Sequence, residues 1–162
     1  MKSERGVSRS KEQIPPVLSQ DSYKSREKLP EPTRCPDCGA TYHHGRWTWD
    51  IAPAGGHEST CPACHRIHDK FPEGYVTLKG EFLKLHREEI LKIVRNCEIK
   101  EKAEHPLERI MAIEDVAGGV LVTTTGEHLA RDIAGRIHSA YKGTLDLHYG
   151  KDEDLLRATW TR

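Results

Sequence analysis

The sequence contains no long hydrophobic run and no excess of charge of either sign. No stretch of about 18 consecutive apolar residues occurs, so no membrane-spanning helix is predicted. Lysine and arginine together number 25, and aspartate and glutamate together also number 25. The chain therefore lacks a sequence-independent attraction to nucleic acid. Any binding to a polyanion must come from a local patch of positive charge.

Large apolar side chains are also scarce. Hydrophobic residues make up 36% of the chain and the mean hydropathy is −0.70, so part of the chain is expected to carry no core. Residues 1–33 are the best candidate for that part, because they are rich in Lys, Arg, Glu, Ser and Pro and show no sustained periodicity. We predict a disordered tail over 1–33.

The signatures of several enzyme classes are missing as well. The glycines at 118 and 119 are not followed by the lysine that a phosphate-binding loop requires. No Gly-x-Ser-x-Gly nucleophile elbow occurs. The zinc-deaminase pattern needs His-x-Glu, whereas His57 and Glu58 are adjacent. We therefore predict that the protein is not an enzyme.

Two cysteine pairs are the most informative feature that is present. Cys-Pro-Asp-Cys at 35–38 and Cys-Pro-Ala-Cys at 61–64 each separate two thiols by two residues, which is typical of a tight knuckle. Between them, a strand-like stretch over 41–49 and a loop over 52–56 predict a hairpin. Knuckle, hairpin and knuckle together predict a zinc ribbon over 34–72 with one tetrahedral Zn²⁺. The predicted ligands are Cys35, Cys38, Cys61 and Cys64.

Paired cysteines have other possible roles, namely disulfides in a secreted protein or a redox-active dithiol. No apolar signal segment precedes the pairs, which disfavours disulfides. A redox pair would not need a matched second pair. We therefore favour zinc and expect a cytoplasmic protein. The fifth cysteine, Cys97, falls on the apolar face of a predicted helix and is expected to be a small buried side chain.

Residues 73–162 predict an α+β domain with the element order α-β-β-α-β-β. Apolar residues recur at helical spacing over 80–102, which indicates a long amphipathic helix. A second helix is expected to begin at the Thr-Thr-Gly-Glu capping box of 124–127 and to end at Gly143. The predicted strands cover 109–116, 120–124, 144–149 and 155–161.

The predicted strands are expected to form a four-stranded, mainly antiparallel sheet with both helices on one face. Alternation of apolar and polar residues in the last two strands places one set of side chains toward the helices. The inward residues are expected to be Leu145, Leu147, Leu156 and Trp160.

The segment between the cysteine pairs mixes aromatic and basic side chains. Aromatic rings stack on unpaired bases and guanidinium groups contact phosphates, so this mixture is typical of RNA-binding surfaces. The same rings could instead form the small core of the ribbon, and we expect one tryptophan to point inward and one outward. The candidate RNA contacts are Arg46, Trp47, Trp49 and Arg66.

The order of the elements resembles that of a known family. Paired knuckles, a Gly-Tyr-Val element, a β-hairpin, a helix and an alternating strand, over about 34–160, resemble the N-terminal region of the large-ribosomal-subunit export adaptor, the third nonsense-mediated-decay protein. That family has short bacterial relatives. The resemblance implies association with ribosomes or structured RNA, with zinc as a scaffold. This chain has one set of four cysteines where the family carries further pairs, so nuclear export is not implied.

Two functions follow as hypotheses. The first is a non-enzymatic zinc-ribbon adaptor that binds ribosomal RNA or a ribonucleoprotein particle. The second is a zinc-ribbon interaction or regulatory module that binds another protein, for example through the sheet of the α+β domain, without contacting nucleic acid. A basic and aromatic surface on the ribbon would favour the first, whereas an apolar, uncharged sheet face would favour the second.

Overall fold

The computed structural model describes Tyr23 and residues 28–51, 55–151 and 155–162. Most of the predicted tail over 1–33 therefore lies outside the described residues. Thr33, its last residue, belongs to a strand with Arg34 and pairs with Tyr42. The first strand thus begins just before the predicted boundary.

Residues 28–72, which we call the metal module, contain four short strands and one helix. The elements are β1 (Thr33–Arg34), β2 (Thr41–His43), β3 (Arg46–Thr48), β4 (His57–Glu58) and α1 (Pro62–Asp69). The strands form one sheet in the order β3-β2-β1-β4, with β1 and β4 parallel and the other neighbours antiparallel. The second cysteine pair was predicted to form a knuckle like the first. It lies instead at the start of α1, where Pro62 suits the first helical position.

Residues 73–162 form the α+β domain, whose sheet has five strands. The elements are β5 (Gly74–Lys79), α2 (Glu81–Leu85), α3 (Arg87–Glu104), β6 (Ile110–Val116), β7 (Gly119–Thr124), α4 (Glu127–Tyr141), β8 (Thr144–Tyr149) and β9 (Leu156–Thr161). The strand order is β6-β7-β5-β9-β8. β5 and β9 are parallel and the other neighbours are antiparallel, so the prediction of a mainly antiparallel sheet is confirmed.

The central strand β5 was missing from the prediction, which gave four strands. Its sequence alternates, with Gly74, Val76 and Leu78 buried and Tyr75 and Thr77 partly exposed. That alternation is the signal for a half-buried strand, but it extends over one short segment directly after the metal module. The sheet therefore has five strands, and β5 connects its two halves.

The predicted helix over 80–102 is divided at His86 into α2 and α3. His86 has φ −121° and ψ 22°, outside the helical range, and its ring stacks on that of Phe82 at 4.1 Å. The backbone N–H of Phe82 donates to the carbonyl of Arg162 at 2.9 Å, which fixes the start of α2 against the end of β9. None of the described helices is both long and apolar enough to cross a membrane.

The core lies between the helices and one face of the sheet. Val76 lies opposite both Val122 and Ala158, so the three side chains share the helix-facing side. The fully buried side chains of α3 and α4 that complete this core are Ile90, Val94, Leu129, Ala130, Ile133, Ala134 and Ile137. Cys97 is also buried there, as predicted, and burial raises its pKa to about 12.

Two of the four side chains expected to point inward from the last strands are fully buried, Leu156 and Trp160. Leu145 is partly buried against the core. Leu147 lies opposite Ala158 and so on the predicted face, but it is 42% exposed and does not belong to the core. It lies on β8, an edge strand of the sheet.

A buried and an exposed isoleucine of α3 test this packing. Ile90 is 0% exposed and Ile99 is 68% exposed. Ile90→Asp should lower the free energy of unfolding by several kcal/mol, since a carboxylate there has no partner. Ile99→Asp should change it little. Denaturant unfolding measures the free energy of unfolding of both variants. Equal effects of the two substitutions would show that α3 does not face the core as described.

Candidate metal centre

The four paired cysteines converge on one point in the metal module. One Sγ atom from each of Cys35, Cys38, Cys61 and Cys64 lies within 4.8 Å of the other three. The sulfurs of Cys38 and Cys61 are 3.8 Å apart. A tetrahedral zinc ion with Zn–S bonds of about 2.3 Å separates its sulfurs by about 3.8 Å. The set is therefore positioned to hold one metal ion.

The first pair is shaped by a hydrogen-bonded turn. The backbone N–H of Cys35 donates to the carbonyl of Ala40 at 2.8 Å, and that of Gly39 donates to the carbonyl of Cys35 at 2.9 Å. Gly39 has φ +81°, a conformation that glycine adopts without strain. The N–H of Ala40 then points at the sulfur of Cys38, at 3.4 Å. The knuckle thus directs both thiols inward.

The second pair is shaped by the start of α1. Cys61 is the residue before the first helical turn, and its sulfur accepts a hydrogen bond from the backbone N–H of Cys64 at 3.4 Å. Its own N–H donates to the sulfur of Cys35 at 3.3 Å, which links the two pairs. Backbone N–H groups at a helix N-terminus stabilise thiolates. The first turn of α1 therefore opposes part of the rise that burial causes in the pKa of Cys61.

Arg109, from the α+β domain, contacts three of the four sulfurs. Its Nη1 lies 3.2 Å from the sulfur of Cys64, and its Nη2 lies 3.0 Å from that of Cys38 and 3.5 Å from that of Cys61. The side chain is only 7% exposed. Its Nε donates to the carbonyl of Pro106 at 2.8 Å, which fixes the plane of the guanidinium. Four thiolates around a divalent ion carry two net negative charges, and Arg109 offsets part of that charge.

The acidities of the thiols follow from burial and from these donors. Burial opposes ionisation of Cys35, but backbone N–H groups, that of Cys61 first, outweigh it and lower the pKa of Cys35 to about 7. Burial raises the pKa of Cys61 and of Cys64; the backbone N–H of Cys64 is the first opposing effect at Cys61, and Arg109 is the first at Cys64. Binding of a metal ion must therefore displace protons from the second pair.

Arg109 lies in the loop between α3 and β6. Neighbouring contacts attach this loop to the start of helix α4. The side chain of Thr125 accepts from the N–H of Arg109 at 2.9 Å and donates to the carbonyl of Leu107 at 2.6 Å. Glu108 accepts from the N–H of Leu129 at 3.1 Å and so caps α4. Burial raises the pKa of Glu108, and the Leu129 N–H opposes this rise.

The capping box predicted at 124–127 was wrong in the side chain that accepts the capping hydrogen bond. The residue before α4 is Gly126, which has no side chain to cap the helix. A Cβ atom at position 126 would collide with the carboxylate of Glu108. The carboxylate of Glu108, which is distant in sequence, therefore caps α4 in place of the local threonine. Sequence spacing cannot reveal such a contact.

The predicted RNA contacts lie in different environments. Arg46 is exposed on β3, whereas Trp47 is partly buried against the cysteine cluster and packs edge-on against Tyr42. Trp49 is 37% exposed, and its indole N–H donates to the carbonyl of Lys102 at 2.6 Å. Trp49 therefore joins the metal module to the end of α3.

Arg66 is not on a surface that could contact RNA. It is 6% exposed, its guanidinium donates to the carbonyl of Phe71 at 3.2 Å, and it lies 4.4 Å from the centre of the Tyr23 ring. These contacts hold the end of α1 against the preceding chain. The prediction of Arg66 as a phosphate contact is therefore not supported by its position.

A cleft of about 900 Å³ lies between the metal module and the ends of α3 and α4. One wall is the β2–β3 hairpin with Tyr42, Arg46 and Trp47. The facing wall runs from Glu101 to Glu108. The sequence did not predict this cleft, because its walls come from two domains whose relative position depends on Arg109 and Trp49.

No family model, curated protein or solved structure matches this chain. The resemblance to the ribosomal export adaptor family therefore stays a prediction that rests on the motifs alone.

Metal analysis tests the site directly. The purified protein should contain about one zinc ion per chain, since the four sulfurs form a single closed set. Cys38→Ser should lose the metal and unfold the metal module. Cys97→Ser should keep the metal, because Cys97 lies in the core of the α+β domain. A folded metal-free protein, or native disulfides within the pairs, would contradict the assignment.

The contribution of Arg109 can be separated from that of the ligands. Arg109→Ala should weaken zinc binding about 10- to 100-fold, the usual cost of removing a donor to a ligand atom. Arg136→Ala is the matched control, because Arg136 is exposed and pairs with Asp132 on α4 at 3.1 Å. Competition with a chromophoric chelator measures both affinities. The role assigned to Arg109 is wrong if the two variants bind zinc equally well.

Proposed function

We propose that the protein is a non-enzymatic adaptor in which a zinc ion stabilises a binding surface for another protein. The metal site supports the first part of the proposal. Four cysteine ligands are typical of structural zinc in a zinc ribbon, whereas catalytic zinc sites keep a position open for water or substrate. Cys35, Cys61 and Cys64 are buried, and Arg109 covers the set from the other domain.

The contents of the cleft support a binding role over a catalytic one. Among the described residues, no serine or threonine side chain is hydrogen-bonded to a histidine, so a hydroxyl nucleophile paired with a histidine base is not formed. Aromatic rings and a few polar groups around a preformed space are the usual composition of a binding site. The absence of enzymatic activity stays a prediction.

The single observation that carries the choice of partner is the charge of the cleft. Arg46 is its one lysine or arginine among the described residues, whereas four carboxylates line it. The carboxylates are Asp50, Glu101, Glu104 and Glu108. A phosphodiester chain would be repelled by these groups. The charge of the cleft therefore supports a protein partner better than RNA, and we propose that this partner binds in the cleft rather than on the sheet.

RNA or a ribosomal particle stays a second candidate because of the exposed tip of the β2–β3 hairpin. His44, Gly45 and Arg46 are exposed there, and the rings of His43 and His44 lie 3.9 Å apart. This tip combines a guanidinium with flat rings, which suits contact with unpaired bases. The resemblance to the ribosomal export adaptor family adds to this candidate.

Crosslinking in native cells separates these functions. A photo-reactive amino acid in place of His105, an exposed residue of the cleft, should yield protein adducts. The same replacement at Val116, 38% exposed on β6 and outside the cleft, should yield none and serves as the control. Direct ultraviolet crosslinking of the unmodified protein tests RNA.

The outcomes of the crosslinking are distinct. Protein adducts at position 105 alone support the proposed function. Nuclease-sensitive adducts that Arg46→Ala removes would replace it with the RNA candidate. An absence of both kinds of adduct, with the metal content intact, would refute the adaptor function.

A further inference from the structure

The cleft combines aromatic faces with negative charge. Tyr42, Trp47 and Trp49 contribute rings to its lining, whereas the ring of Tyr23, also in the lining, already faces the guanidinium of Arg66 at 4.4 Å. Rings of this kind attract cations through their negative faces, and guanidinium and ammonium groups are the cations that proteins present. The aromatic wall therefore suits flat or cationic side chains.

Three of the carboxylates in the cleft form no close ion pair with any other described residue. Glu108 is engaged with the N-terminus of α4. Within the described part of the chain, by contrast, no arginine or lysine forms an ion pair with Asp50, Glu101 or Glu104. Asp50 and Glu104 are exposed and Glu101 is partly exposed, so a partner can reach all three. They are free to pair with cations supplied from outside.

The end of α3 adds to this negative potential. α3 is 18 residues long and ends at Glu104, beside the cleft. The C-terminus of a helix carries a partial negative charge from its last carbonyls, which favours cations within the final turn. Among the described residues, the histidines of the lining are His65, His105 and His128. The wall from Glu101 to Glu108 is therefore suited to a cation and unsuited to a phosphate.

We propose that the cleft binds an extended peptide segment of another protein that carries arginine or lysine side chains. This inference rests on the proposed adaptor function and specifies the chemistry of its partner. The aromatic wall would contact the stems and the planar head groups of these side chains. Asp50, Glu101 and Glu104 would accept their charged hydrogen bonds, and arginine pairs with carboxylates in a bidentate manner.

The proposal can be tested with the zinc-loaded full-length protein and labelled synthetic peptides. The probe is a peptide of alternating glycine and arginine. Its control has citrulline in place of arginine, which removes the charge and keeps the size and planarity. The arginine peptide should bind at least about tenfold more tightly than the citrulline peptide in fluorescence anisotropy, and added salt should reduce the difference.

Matched variants locate the binding. The double variant with Glu101→Gln and Glu104→Gln should weaken binding of the arginine peptide about tenfold. Glu88→Gln and Glu114→Gln are the controls, since both residues are exposed glutamates outside the cleft. Circular dichroism and zinc content confirm that every variant is folded. Equal binding of the two peptides, or equal loss in the cleft variant and the controls, would overturn the proposal.

Further experiments distinguish this peptide from other possible occupants of the cleft. One outcome is that the arginine peptide binds only after residues 1–22 are deleted, and that a peptide of that sequence itself occupies the cleft. The occupant is then this chain's own N-terminal segment, and the proposal of a partner protein is wrong. If an oligouridine competes with the arginine peptide, the charge argument is wrong. If no peptide binds while position 105 still crosslinks to protein, the adaptor function is supported. The proposal that its partner carries arginine or lysine side chains is then wrong.

Discussion

The contact between the Arg109 guanidinium and the thiols of the metal module is the interaction on which the rest of the structure depends. It reaches three sulfurs at 3.0 to 3.5 Å and comes from a different domain than the ligands. The same short loop caps α4 through Glu108 and contacts Thr125. The metal site is therefore both the core of a small module and one half of a joint between two domains.

This joint explains how a chain with few large apolar residues can place two domains against each other. The module has almost no apolar core of its own, and its buried cluster consists of Cys35, Cys61, Cys64 and Ala63, with Cys38 packed against it. A metal ion held by the four cysteines would supply the stability that such a small unit cannot obtain from hydrophobic burial. Trp49, through its bond to Lys102, provides a second point of attachment. The cleft lies between these two attachments, so its shape depends on both.

Local patterns predicted the parts of the structure that depend on local spacing. The cysteine pairs, the buried face of α4, and the strands β6 to β9 follow from motif spacing and from periods of 3.6 and 2. The break at His86 did not follow, because the contact between Phe82 and Arg162 ties distant parts of the chain. Arg109 and Glu108 also could not be identified, since nothing in the sequence distinguishes them from other charged residues near a proline. Glu108 acts on α4 within the α+β domain, whereas the role of Arg109 arises only where the two domains meet.

The charge balance of the whole chain also proved less informative than its distribution. The cleft is negative at its α3 wall and aromatic at its hairpin wall, although the chain as a whole is neutral.

X-ray absorption at the zinc edge of the purified protein most directly tests the central claim, that four cysteines hold one zinc ion. The account predicts four sulfur neighbours at about 2.3 Å and no nitrogen or oxygen in the first shell. A shell with fewer than four sulfurs, or with a bound water, would contradict it.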